Sequence, residues 1–239
     1  MTDEARMSPE VFVERLRQEG RRRHHDNHPF HKRMHAGELS RAELQVWVAN
    51  RYYYQTRIPV KDAIILSKSE DPAFRRMWVR RIADHDGVRE GEGGIHQWLR
   101  LAVGVGLDAD YVKDFVYLLP GARFACDAYV ALVRERSLVE AVAASLTGFF
   151  TPDVMARRVA TWETHYPWVD QGVLAYFRER VPRARRDMEE ALNFVLQSAV
   201  TRDLQERCIS ALITKCEILW SLLDAVHAGH GEGAAAPAR

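Results

Sequence analysis

Cysteine is scarce: the chain has three among 239 residues, Cys126, Cys208 and Cys216. An odd number with no C-x-x-C pair argues against a disulfide framework and against a structural zinc site, and reads as buried thiols of a reducing compartment. Long apolar runs are missing as well. No window approaches the ~18 apolar residues of a membrane span, and MTDEARMSPE has no apolar core of the kind a secretion signal carries. Charge of one sign is not in surplus either, because 34 Lys and Arg face 33 Asp and Glu. No global field draws the chain to nucleic acid or to an acidic membrane, so any cationic site must be local. The chain reads as soluble and cytoplasmic.

Several chemical signatures are absent too. There is no Glu-x-x-His, so the carboxylate-bridged di-iron pattern of helical bundles is missing. GVREGEGG lacks the Gly-Lys-Ser/Thr ending of a phosphate loop and follows no strand, and no G-x-S-x-G elbow occurs.

Helix punctuation runs from end to end. Ser8 caps a first helix with Pro9 at its start, a stripe of Val11, Phe12 and Leu16, and Gly20 as its stop. Ser40-x-x-Glu43 is a capping box opening a long helix. Asp71-Pro72 starts another, ended by Gly87. Gly94 to about Val105, Ala109 to about Leu118, and Gly121 to Arg136 follow. Ser137-x-x-Glu140 is a second capping box, Thr151-Pro152 opens a short helix, and Asp170 opens one ending near Pro182. Two long amphipathic runs close the series, about Arg183 to Val200 and Arg202 to Val226. No period-two alternation competes, so the fold class is all-α, one compact helical bundle. Residues 1–228 form the single domain and 229–239 a flexible, small-residue tail.

The densest run of donors is VANRYYYQTRIPVKD, Val48 to Asp62. If the Ser40 helix continues, Arg51, Tyr54, Gln55 and Ile58 follow i, i+3, i+4, i+7 and share a face. Pro59 frees the Gln55 carbonyl and predicts a kink that swings Lys61 to that side. Such donors suit a polyanionic or quinone-like small molecule, while a solvated charged face over core tyrosines fits the same run. In RRHHDNHPFHKRMH the spacing of His24, His28, His31 and His35 brings several imidazoles to one side of a helix. Pro29 interrupts that run, and Arg22, Arg23, Lys32 and Arg33 surround it, which favours an anion-facing or structural role over a metal.

Asp84-His85-Asp86-Gly87, at a helix end, fits either capping or a proton-transfer histidine. Tyr176 and Arg180 are i, i+4 in AYFRER, and on spacing alone they read as a surface arginine over a core tyrosine. Lys215 sits beside the stripe Ile213, Cys216, Leu219, Trp220 and Leu223. It either snorkels outward or is kept inside by a buried anion.

Taken in order, HPFH, WVANRYYYQTRIPVKD, RRIADHDG, GGIHQWL, LLPGARFACDAYV, SLTGFFTP, HYPWV, AYFRER and KCEILWSLLDA resemble the pyrroloquinoline quinone (PQQ) synthase family over about Ser8 to Ala228. The resemblance implies a haem-oxygenase-like helical bundle, homodimeric and without haem. It implies an oxidase with neither metal nor organic cofactor. Such an enzyme closes the last ring of a bicyclic quinone precursor and uses O2 for an eight-electron oxidation to PQQ, releasing hydrogen peroxide. A PQQ-accepting protein would be a further partner.

By matched position the resemblance implies His25, Arg51, Tyr54, Gln55, Lys61, Arg81, Tyr129, Thr147 and Lys215 as substrate-binding groups. His85 matches the base or proton donor, and Tyr176 and Arg180 match the oxygen pocket. Two positions depart from the pattern. His24 stands where some members carry tyrosine, with Asp26 and Asn27 also unlike the family. Met155 stands where some members place an oxygen-pocket histidine, and methionine transfers no protons. Other readings of the same residues are a related oxidase acting on another quinone or aromatic acid, a metal-dependent oxidase, and a non-catalytic PQQ carrier. The carrier needs the anion pocket but not His85, Tyr176 or Arg180.

Overall fold

The computed structural model describes residues 5–229, and every regular element among them is helical. In order these are α1 (Pro9–Arg23), α2 (Pro29–His35), α3 (Arg41–Ser67), α4 (Pro72–Asp86), α5 (Gly93–Gly104) and α6 (Ala109–Lys113). Then come α7 (Pro120–Glu135), α8 (Leu138–Ala143), α9 (Thr151–His165), α10 (Ala175–Ser198) and α11 (Arg202–Ala228). Short 3-10 segments at His25–Asn27, Ala144–Phe150 and Gln171–Leu174 turn the chain between them. The tail expected at 229–239 lies, beyond Gly229, outside the described residues.

The starts that the sequence announces are made. Ser8 accepts from the Val11 amide, both Ser-x-x-Glu boxes are reciprocal, and Asp71 accepts from the amides of Ala73 and Phe74. Helix α3 is the axis of the bundle. It packs against α4, α5 and α7 and buries Leu44, Trp47, Val48, Tyr52, Tyr53 and Tyr54, positions that run around most of its circumference. Around it, α11 packs on α1, α7 and α8, and α10 packs on α8 and α9.

Gly87 ends α4 as the sequence announces, but other ends differ. Gly20 does not stop α1, which continues to Arg23; a Cβ there would meet the Phe150 ring at 2.9 Å, so this glycine serves a close approach. Helix α6 stops at Lys113 rather than near Leu118, because Phe115 adopts a left-handed φ of 58° with its ring edge-on to Tyr53. Helix α9 is a full 15 residues rather than short. Pro182 ends nothing: α10 runs through it to Ser198, joining two expected helices, since the stripe Ala184, Asp187, Ala191 and Val195 is buried on its neighbours. Likewise α3 continues through the buried Pro59 to Ser67. The run Leu138–His165 is, contrary to the sequence reading, long and apolar enough to cross a membrane by composition. In the fold it is broken into α8, a 3-10 segment and α9, all packed on α10 or α11.

One turn fixes where α4 ends. Gly93 has φ +83°, and a Cβ on it would lie 2.4 Å from the Gly87 nitrogen and 2.5 Å from the His85 carbonyl. Gly93→Ala is expected to cost about 1–3 kcal/mol from the backbone conformation alone, plus the displacement of α4. A denaturant midpoint unchanged from the parent would refute this.

Candidate active site

A pocket of about 720 Å³, counted out to its open mouth, lies between α3, α4, α7, α9 and α10. All but two of the residues named from the sequence line it; His85 and Lys215 stand outside its lining. From α3 come Arg51, Tyr54, Gln55, Ile58 and Lys61, so the i, i+3, i+4, i+7 face is the pocket wall and not a solvated face. Arg81 comes from α4, Tyr129 from α7, Thr147 from the 3-10 segment, Tyr176 and Arg180 from α10, and His25 from the corner before α2.

Each cation is held from behind. The Arg51 guanidinium lies 3.8 Å from the centre of the Tyr54 ring, and Arg81 lies 3.8 Å from that of Trp78. Lys61 donates to Asp62 at 2.6 Å, and Asp62 also accepts from the Trp78 indole at 3.0 Å, which fixes the carboxylate. Arg81 donates to the Asp187 carbonyl. Arg180 lies 3.2 Å from Asp187 Oδ2, and Arg186 donates to Oδ1 at 2.8 Å. Burial alone would raise the Asp187 pKa, but Arg81, Arg180 and Arg186 together bring it below its ordinary value. Burial lowers the Arg81 pKa, and Asp187 and Asp62 oppose that.

His85 belongs to the buried stripe Phe74, Trp78, Arg81 and His85 on α4, and does not cap the helix. Its Nδ1 lies 2.9 Å from the Arg81 carbonyl, and a carbonyl can only accept, so Nδ1 carries the proton. The Nε2 lone pair is therefore the basic position. Burial first, then Arg180, lowers the pKa of this imidazole to about 3, which keeps it neutral. Tyr176 donates to Gln55 Oε1 at 3.1 Å and packs edge-on to Trp98. Arg180 is not a surface arginine, since its side chain lines the pocket.

Lys215 does not snorkel. It is 1% exposed and lies within the buried stripe of α11, between Leu212 and Leu219. Its Nζ donates to the Tyr54 hydroxyl at 3.0 Å and lies 3.3 Å from the centre of the Tyr129 ring, with the Tyr54 and Tyr129 rings parallel. Burial, then Arg51, pushes its pKa well down. It thus positions the two tyrosines that face the cavity.

The histidine run divides. A 3-10 turn at His25–Asn27 and Pro29 separate its members, so they do not share one helix face. His24 and His25 face the pocket, while His28 turns away to Asp224 at 3.0 Å and to Trp220. Sequence reasoning missed Ser145, Asp62 and Asp187, and above all Arg158. That arginine is 2% exposed, stacks on Trp47 at 4.9 Å, and leaves Nε and one Nη without a partner. Burial lowers its pKa to about 10. The signal was an arginine at helical spacing between Met155 and Trp162, both buried.

The fold and the wall define a class: an all-α bundle with a haem-oxygenase-like fold, enclosing a cation-lined cavity floored by aromatic rings. A domain from Shewanella denitrificans, described as having a heme oxygenase-like fold, superposes with a TM-score of 0.75, covering 94% of each chain at 11% identity. The TENA/THI-4/PQQC family model matches residues 13–225. The pyrroloquinoline-quinone synthase of Rhizobium rhizogenes is 49% identical over 91% of this chain and 88% of its own. That of Gluconobacter oxydans is 45% identical over 95% of each. The chain belongs to the TENA/THI-4/PQQC family, and the resemblance read from its motifs is that of these synthases.

Buried neutral histidine makes the site acid-labile. Between 6.5 and about 3 the unfolded chain binds a proton at His85 that the folded chain refuses, so stability falls as pH drops through that window. His24, lowered by burial to about 4, acts in the same direction, as does the depressed Asp187 once pH falls below the ordinary carboxylate value. The denaturant midpoint at about pH 4.5 should lie below that at pH 7, and His85→Asn should recover part of the difference. An equal loss in parent and variant would place the acid sensitivity elsewhere.

Proposed function

We propose that the pocket binds a polycarboxylated bicyclic quinone, and that the protein oxidises it with O2, closing the last ring to give PQQ and releasing hydrogen peroxide. One observation carries the reading. Arg51, Lys61, Arg81 and Arg180 line the cavity, and none of the described lining residues is a carboxylate. A wall of that kind suits a ligand that brings its own negative charges and a flat conjugated ring system. The relatives named pyrroloquinoline-quinone synthase support the same substrate and a role in PQQ biosynthesis.

In this reading the cations grip the carboxylate arms and the tyrosine faces hold the ring system, which supplies placement. The His85 Nε2, outside the lining of the empty pocket, takes a carbon-bound proton directly or through one bridging water as the ring system is oxidised. Arg180, with Tyr176 beside it, stabilises the negative charge that develops as O2 is reduced. Each O2 converted to peroxide takes up two electrons and two protons, which balances a two-electron loss from the substrate. The quinone passes the electrons itself, so the scheme needs neither metal nor organic cofactor. A homodimer, and transfer of PQQ to an accepting protein, belong to the same proposal. Met155 favours a second reading: it lines the pocket at the position where a histidine would serve the oxygen steps, which fits a related oxidase acting on another quinone or aromatic acid.

The test is anaerobic mixing of metal-analysed protein with the bicyclic precursor, then admission of O2 while the quinone spectrum and peroxide are recorded. Metal-free protein should yield PQQ and peroxide; binding without oxidation would leave a carrier or the second reading. His85→Ala should bind the precursor and turn over about 10²–10⁴-fold more slowly. Unchanged turnover would remove His85 from the chemistry. Arg180→Ser should bind and stall with the quinone reduced, and loss of binding would instead make Arg180 a substrate anchor.

A further inference from the structure

His31 is 2% exposed, and neither of its ring nitrogens has a hydrogen-bond partner in the protein. A buried polar group left unpaired costs about 1–3 kcal/mol. Phenylalanine would fill the same space against Trp47, whose ring His31 meets edge-on at 6.0 Å, without that cost. Packing alone does not account for an imidazole here.

His31 is the middle of a row. Its ring centre lies 5.3 Å from that of the pocket-lining His25 and 6.2 Å from that of His35. His35 Nε2 lies 2.7 Å from Asp26 Oδ1, and His31 Nδ1 lies 3.9 Å from the same oxygen. The other Asp26 oxygen accepts from Arg157 at 3.0 Å, and that arginine side chain is 59% exposed. His25 Nδ1 and His35 Nδ1 are also without protein partners. Such spacings suit proton steps made directly or through one bridging water. A metal does not fit the row: Arg158 and Arg51 bear on both His25 and His31. No group of three His, Cys, Asp or Glu among the described residues converges as a metal site would.

We propose that His25, His31 and the His35–Asp26 pair form a proton relay between the ligand pocket and the outer surface. A neutral imidazole accepts a proton at one nitrogen and releases another from its second. A proton given up by the ligand to His25 therefore emerges on the Asp26 carboxylate and passes to buffer. No charge remains on the row, and each ring is left in its other tautomer. Burial holds His25 and His31 well below the ordinary imidazole pKa, which keeps both neutral, as this transfer requires. The inference rests on the oxidase reading only for the source of the protons. The path itself belongs to the ligand-free protein.

The first experiment is therefore nitrogen NMR of the full chain labelled with 15N-histidine and free of ligand. The His31 Nδ1 and Nε2 signals should be averaged between protonated and bare positions, with ring protons exchanging quickly into D2O. A single fixed tautomer whose N–H survives for minutes would overturn the relay. The second is turnover of the precursor by His31→Phe and, at the part-exposed end, by His35→Gln and Asp26→Asn. These variants should lose tenfold or more in kcat with KM unchanged, and added free imidazole should restore part of the loss in His31→Phe. Unchanged kcat in all three would also overturn it. Averaged signals in a protein that does not turn over the precursor would sink the oxidase reading and uphold the relay.

Discussion

Positive charge facing an enclosed cavity is the constraint on which the rest of this structure depends. Moving a charge out of water is costly unless it is paired, and in most cores the remedy is a carboxylate beside it. Here the carboxylates are kept behind the wall. Asp62 holds Lys61 and is itself pinned by Trp78, while Asp187 serves Arg180 and Arg186 and, through its carbonyl, Arg81. Two acids steady Lys61, Arg81 and Arg180 from the rear, and these three keep a positive face to the cavity.

Aromatic faces do the rest of the holding. Tyr54 under Arg51, Trp78 under Arg81 and Trp47 under Arg158 lower the cost of burial without cancelling the charge. An acid under Arg51 or Arg81 would have neutralised the pocket from within. This explains why α3 is the central helix. Only an element buried around most of its circumference can present Tyr54 and Gln55 to the cavity while Trp47 and Tyr53 pack into the core on other sides.

Helix starts were legible because a cap is a local event: Ser8, Ser40, Asp71 and Ser137 bond amides two or three residues away. Gly87 was legible as a stop in the same way, but other stops were not, because Gly20 and Pro182 answer to packing against distant segments, and Phe115 turns the chain in a conformation that its type rarely adopts. The pocket face of α3 could be read from spacing. His85, Tyr176, Arg180 and Lys215 could not be told from surface or capping residues by spacing, and the family resemblance singled them out. Arg158 escaped both routes, since an arginine in an apolar stripe is ordinarily read as snorkelling.

The same burial gives the site its division of labour. Low solvent access keeps the arginines strongly felt, and that positive field, Arg180 foremost, joins desolvation in denying His85 a proton. An imidazole with so little affinity for protons, standing outside the lining of the empty pocket, is a weak base. A polyanionic ligand of the kind proposed would change this: its carboxylates would offset the cations that face them, and the repulsion acting against a proton on His85 would shrink. In the proposed reaction the proton affinity of Nε2 would therefore rise once the substrate is bound. In the ligand-free protein burial, reinforced by Arg180, keeps the histidine neutral, and in the proposed complex the ligand's own charge would make it a stronger base. In the proposed reaction, binding and proton abstraction are thus coupled through electrostatics.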